Sequence, residues 1–161
     1  MDRTNQMHTA ISSGARDISA ESDTKKIAKI FSKFLKEGDT VFLYGDIGVG
    51  KTTFIRSLIN HLQTKNKIEL TEVPSPTFNI VHEYQIKDLT IRHFDLFRLK
   101  NEKEISNIGL MEDTERVLSL VEWPEKVITK PKRAISLFFK YSDNMKKRYL
   151  LVDGFDFKKF K

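Results

Sequence analysis

The chain of 161 residues contains no cysteine. That absence excludes disulfides, zinc–thiolate sites and cysteine nucleophiles, and it suits a reducing compartment. No stretch approaches the roughly 20 apolar residues that a bilayer-spanning helix needs, so no membrane association is expected. The polar start, Met1–Ala20, has no apolar signal core. A cytoplasmic protein without a secretion signal is therefore expected. There is no internal repeat and no low-complexity tract.

What is present fits a soluble globular chain of one domain. Hydrophobic residues make up 39% and charged residues 31%, the balance of an ordinary folded domain. Twelve phenylalanines supply bulky core material. The net charge is +6, with much of the excess lying late in the chain, from Lys130 to Lys161. No aromatic-basic recognition motif accompanies it, so a solvated lysine-rich surface is the simpler reading than a nucleic-acid site.

Residues 1–17 read as a flexible segment, with a possible short strand near His8–Ser12, and 18–161 as a single domain. Asp23–Lys36 reads as a helix, with Ile27, Ile30, Phe31 and Phe34 mainly on one face and Ser22 or Asp23 as its cap. Val41–Tyr44 has the apolar, turn-bounded character of a buried strand. Lys51–Gln63 returns to helical spacing through Phe54, Ile55, Leu58, Ile59 and Leu62. Phe78–Tyr84 and Leu89–Phe94 read as an antiparallel hairpin. A weak helix over Lys100–Ile108 ends at Gly109. Val117–Val121, Ala134–Tyr141 and Arg148–Asp153 read as further strands. Helices and strands alternate early and hairpins come late, which predicts an α/β sandwich with a mixed sheet.

Between the first buried strand and its helix lies Gly45-Asp46-Ile47-Gly48-Val49-Gly50-Lys51-Thr52, a full match to G-x-x-x-x-G-K-[ST]. Glycines let the backbone curl so that successive N–H groups converge, and the positive end of the following helix reinforces them. In such a phosphate-binding loop Lys51 reaches the β- and γ-phosphates of ATP, the Thr52 hydroxyl binds Mg²⁺, and Thr53 lies beside the α-phosphate. Hydrolysis needs a carboxylate beside the loop. Glu122 and Asp95 both end apolar strands, and each also fits an exposed acid capping a turn. Ser75-Pro76-Thr77-Phe78 offers a hydroxyl in a Pro-bounded loop, as a γ-phosphate switch would or as an ordinary loop does. His93 reads as a core or network histidine and Trp123 as a packing residue. No dedicated arginine finger is evident, with Arg98 a possible one.

These pieces, in this order, resemble the TsaE ATPases of bacterial tRNA threonylcarbamoyladenosine biosynthesis. The resemblance rests on Gly38-Asp39, Leu43–Phe54, Ser75–Phe78, Tyr84, His93–Leu99, Glu104, Gly109-Leu110 and Glu122-Trp123-Pro124. Glu21 and Thr24 fit the family's opening pattern, and the match runs over about residues 18–141. Phe97 stands where the family usually has tyrosine, Ile47 and Val49 replace commoner leucine and alanine, and the link before Ser75 is somewhat long.

The resemblance implies a P-loop NTPase-like three-layer sandwich with a mixed, mostly parallel central sheet and a late antiparallel hairpin. It implies an ATP-hydrolysing, Mg²⁺-dependent subunit, weak alone, that drives or resets a two-protein transferase assembly of TsaB and TsaD types, with tRNA contacted indirectly. It places Thr77 in a switch-like loop, makes Asp95 necessary for hydrolysis, gives Glu122 to Mg²⁺ alongside Thr52, and brings Thr24 near the adenine. The nucleotide set is then Asp46, Ile47, Gly48, Val49, Gly50, Lys51, Thr52, Thr53 and Thr24. Two other readings of the same loop are a small kinase and a nucleotide-dependent scaffold without catalysis. The scarcity of arginine after Leu62 counts against a kinase lid.

Overall fold

The computed structural model describes residues 14–155. The possible strand near His8–Ser12 lies outside them. The elements run β1 (Arg16–Asp17), α1 (Glu21–Phe31), β2 (Thr40–Tyr44), α2 (Lys51–Lys65), β3 (Val81–Ile86), β4 (Leu89–Asp95), α3 (Glu102–Asn107), β5 (Val117–Glu122), a 3₁₀ turn (Pro124–Lys126), β6 (Ala134–Tyr141) and β7 (Arg148–Asp153).

All seven strands join one sheet in the order β1-β7-β6-β2-β5-β4-β3. The central four, β6, β2, β5 and β4, are mutually parallel. Antiparallel pairs flank them: β3 on β4 at one side, β7 on β6 and β1 on β7 at the other. The mixed sheet with a parallel centre and a late hairpin is the architecture expected from the sequence. Its cause is burial. β2 and β5 are apolar on both faces because both faces are covered, as parallel strands require.

One face carries α1 and α2. The α2 stripe of Phe54, Ile55, Leu58, Ile59 and Leu62 is buried against Val41, Leu43, Leu118, Leu120 and Leu137. Phe54 makes edge-on contacts with Phe31 of α1 at 5.6 Å and Phe139 of β6 at 6.0 Å. These contacts fix the helix against the sheet. The other face is covered more thinly, by Leu96, Leu99, Ile105 and Leu110 over Phe42, Phe94 and Val121. No helix among the described residues is long and apolar enough to cross a membrane.

Some local expectations were displaced. The first helix begins at Glu21 with Ala20 at its N-cap and no side-chain cap, so neither Ser22 nor Asp23 caps it. It ends at Phe31, five residues short of Lys36, and the chain continues as a turn over 32–34 and then without regular structure to Lys36. Phe78 is 82% exposed in a turn and does not join β3. The turn is closed by the Ile80 N–H donating to Pro76 O, with Ile80 at φ 68°. Arg16–Asp17, within the stretch expected to be loose, pair with β7.

Candidate functional site

Because β2, β4 and β5 are parallel, their C-terminal ends share one edge of the sheet, where open α/β sheets bind ligands. Strand β2 delivers the Gly45–Thr52 loop to that edge and α2 starts at Lys51. Register sets Glu122 of β5 beside both Leu43 of β2 and Asp95 of β4. Thus Lys51, Thr52, Thr53, Glu122, Asp95, Thr77, Ile47, Gly48 and Gly50 all line a single cleft of about 330 Å³, together with Ser75, Phe97 and Trp123. Val49 is buried beneath the loop, Asp46 is exposed, and neither lines the cleft. Thr24 is buried in the first turn of α1 and does not line it either.

The loop's glycines serve two different needs. Gly45 has φ 145°, and a Cβ there would meet Phe139 O at 2.7 Å and Val49 Cγ1 at 2.9 Å. Gly48 and Gly50 have φ 76° and 116°, and among the described residues the nearest atoms to an added Cβ, on Tyr141 and Arg148, lie 3.6 Å away. Gly45 is therefore required by space as well as by backbone, the other two by backbone alone.

Lys51 is buried to 4% exposure. Its Nζ donates to Gly45 O and sits 3.4 Å from the centroid of the Trp123 ring. Burial pushes the ammonium below the ordinary lysine value; the nearby carboxylates of Glu122, Glu125, Asp95 and Asp46 oppose that shift.

Two polar networks adjoin it. In the first, the Thr52 hydroxyl donates to Glu122, 2.9 Å from Oε1 and 3.1 Å from Oε2, and His93 Nε2 stands 2.8 Å from the same Oε1. In the second, both oxygens of Asp95 are engaged. Oδ1 accepts the Phe97 N–H at 3.0 Å, and Oδ2 accepts the hydroxyls of Thr77 at 3.0 Å and Ser75 at 3.2 Å. Asp95 is thereby the anchor of the Ser75–Thr77 loop over the cleft. Arg98 lies over the Phe78 ring, 5.3 Å from its centroid, and does not line the cleft.

No group of three or more histidine or acidic side chains is arranged to hold a metal among the described residues. The Thr52 hydroxyl and Glu122 carboxylate nevertheless form a pair of hard oxygen donors. Such a pair suits Mg²⁺, which binds through one or two protein oxygens and completes its shell with water and phosphate. A helix N-terminus with a glycine loop and a lysine can hold phosphate oxygens.

Three participants had been given no site role of their own. Ser75 joins Asp95 in the second network. Trp123, read as packing, covers Lys51 as well as packing on Phe97 at a ring distance of 4.8 Å. His93 contacts Glu122. The signal for His93 lay in its spacing, since residues two apart on a strand share a face and Asp95 is at the cleft.

A family model described as threonylcarbamoyl adenosine biosynthesis protein TsaE matches residues 18–150. The TsaE protein of Rickettsia felis is 44% identical over 105 residues, 65% of this chain and 59% of that protein. The chain therefore matches less than two thirds of that relative's length. The TsaE protein of Rickettsia typhi is 38% identical over 133 residues, 81% of this chain and 88% of the relative. The crystal structure of Bacillus subtilis YdiB aligns with a TM-score of 0.65 at 28% identity, covering 84% of this chain and 81% of that one.

Proposed function

The chain belongs to the TsaE family of threonylcarbamoyladenosine biosynthesis proteins, and from that premise we propose that it binds and hydrolyses ATP with Mg²⁺ to drive or reset the tRNA-modifying transferase assembly. The observation that carries the reading is the convergence of Lys51, Thr52, Glu122 and Asp95, from α2, β5 and β4, on one cleft at the carboxyl edge of the sheet.

The division of labour follows from the contacts. The N–H groups of the Gly45–Thr52 loop and the Lys51 ammonium grip the phosphates. On nucleotide entry Lys51 exchanges its contacts with Gly45 O and Trp123 for phosphate oxygens. Thr52 and Glu122 would hold Mg²⁺, which would neutralise charge on the phosphate oxygens. Hydrolysis is attack of a water oxygen on the γ-phosphorus, with cleavage of its bond to the oxygen shared with the β-phosphate, release of ADP and inorganic phosphate, and passage of the water's protons to the phosphate and to solvent. Charge on the transferring oxygens is met by the loop N–H groups and Lys51. Asp95 acts through the loop it anchors. It holds the Thr77 hydroxyl where a water or a γ-phosphate oxygen would be met.

Among the described residues no arginine lines the cleft. Hydrolysis by the isolated chain is then slow, and docking on partners of the TsaB and TsaD types completes the site. Thr24 has a more distant part: buried in α1, it supports the wall beside the nucleoside. The test is ATP turnover with and without the two partner proteins and tRNA. Weak turnover alone, stimulation by the partners, and loss of the stimulated rate in Lys51→Ala are expected. Unchanged stimulated turnover in Lys51→Ala would remove the assignment.

A further inference from the structure

Glu122 is held from two sides. Thr52 donates to it from α2, and His93, fully buried on the adjacent strand β4, contacts its Oε1 at 2.8 Å through Nε2. His93 lies opposite Leu120 in the β4–β5 register, so its ring reaches diagonally along the sheet to Glu122. A carboxylate only accepts hydrogen bonds, so Nε2 carries the hydrogen and donates it. The other ring nitrogen, Nδ1, is buried with no partner among the described residues.

Packing alone does not account for a histidine here. An apolar side chain of similar size would fill the same volume and leave no buried polar atom unpaired, a state that costs stability. What the imidazole adds is a donor locked in the core and aimed at one oxygen of Glu122. We propose that His93 is the positioning residue that fixes the Glu122 carboxylate for Mg²⁺, so that the metal is held by a preset oxygen pair and not by a mobile glutamate. The proposal rests on the reading of the cleft as a Mg²⁺-nucleotide site. Hydrogen bonds that orient metal-binding groups are worth about 10–100-fold in metal affinity. The loop N–H groups and Lys51 grip phosphate independently of His93.

The test is the affinity for ADP measured by calorimetry over a Mg²⁺ series and with the metal chelated. Three proteins are compared: the parent, His93→Leu, which fills the space without a donor, and His93→Gln, whose side-chain N–H falls near the place of Nε2. His93→Leu is expected to need about tenfold more Mg²⁺ for the same gain in affinity, by the range given above. Its affinity without metal should match the parent's, and His93→Gln should recover most of the loss. Equal Mg²⁺ dependence in parent and His93→Leu overturns the proposal, as does an equal loss in both variants. A parent whose ADP affinity is indifferent to Mg²⁺ overturns the reading of the cleft and the proposal with it. Should His93→Leu not fold, the unmodified protein still decides. Nitrogen-15 NMR of its histidine rings is expected to show a hydrogen on His93 Nε2, whereas a bare Nε2 overturns the proposal.

Discussion

Lys51 is a charged side chain kept in a partly apolar place, under the ring of Trp123 and against a backbone carbonyl. Its pKa is lowered by burial in the free protein, and phosphate beside it would raise that value again. The sign follows from linkage. Affinity for ADP is full while Lys51 is protonated in the free protein, and it falls as pH rises through the depressed value, beginning below 10.5. Calorimetric titrations between neutral and alkaline pH check this, and Lys51→Met should remove the dependence along with roughly tenfold or more of the affinity. Asp95 makes a different prediction because three donors converge on its two oxygens. Asparagine offers one acceptor oxygen and one donor in place of two acceptors, so either the Phe97 N–H loses its partner or the Ser75 and Thr77 hydroxyls must turn from donating to accepting. Asp95→Asn is expected to lower partner-stimulated turnover by about 10–100-fold, the cost of one such loss, with ADP affinity nearly unchanged. Single-turnover rates alongside binding isotherms separate the two. At Glu122 the expectation is reversed. Glu122→Gln should weaken the response of ADP binding to Mg²⁺ while leaving metal-free binding intact.

At the scale of elements, the glycines of the loop after β2 give a stability prediction with a built-in contrast. Gly45→Ala places a methyl group 2.7 Å from Phe139 O at φ 145°. It should cost about 2–4 kcal/mol, from overpacking together with backbone strain. Gly48→Ala meets only the Tyr141 hydroxyl at 3.6 Å, so it should cost about 1–2 kcal/mol, the left-handed penalty alone. Urea unfolding of the two variants measures the difference. The elements most legible in the sequence were those whose period or composition is enforced by burial. The stripe of α2 and the apolar run of β2 were plain, and β6 and β7 span the two stretches read as late strands. Less legible were ends decided by contacts. The first helix starts at Glu21, with Ala20 at its N-cap and no side-chain cap, so the Ser22 and Asp23 signals misplaced it. Phe78 continues the alternation of β3 in sequence, yet the Pro76–Ile80 turn keeps it out of the strand.

For the whole molecule, sheet order governs what the sequence withheld. Glu122 and Asp95 were each recognisable as acids ending an apolar strand. That they stand side by side, with β5 next to the loop strand, depends on the order β2-β5-β4 and its register. His93 could be read as a network histidine, but its partner 29 positions away follows only from that pairing. Trp123 reaches Lys51 because the chain turns at φ 58° immediately after β5, a left-handed step that no propensity for tryptophan would suggest. That placement also supplies the most direct test of the molecule's central property, the seating of phosphate on the Gly45–Thr52 loop beside Lys51. Trp123 is the only tryptophan in the chain, so its emission reports on that place alone. Titrated with Mg²⁺ and ATP, the parent should show a saturable change in Trp123 emission, and Lys51→Ala should lose it or need far more nucleotide. A nucleotide that binds without altering Trp123 emission, or binds Lys51→Ala as tightly as the parent, would place the phosphates elsewhere and contradict the account.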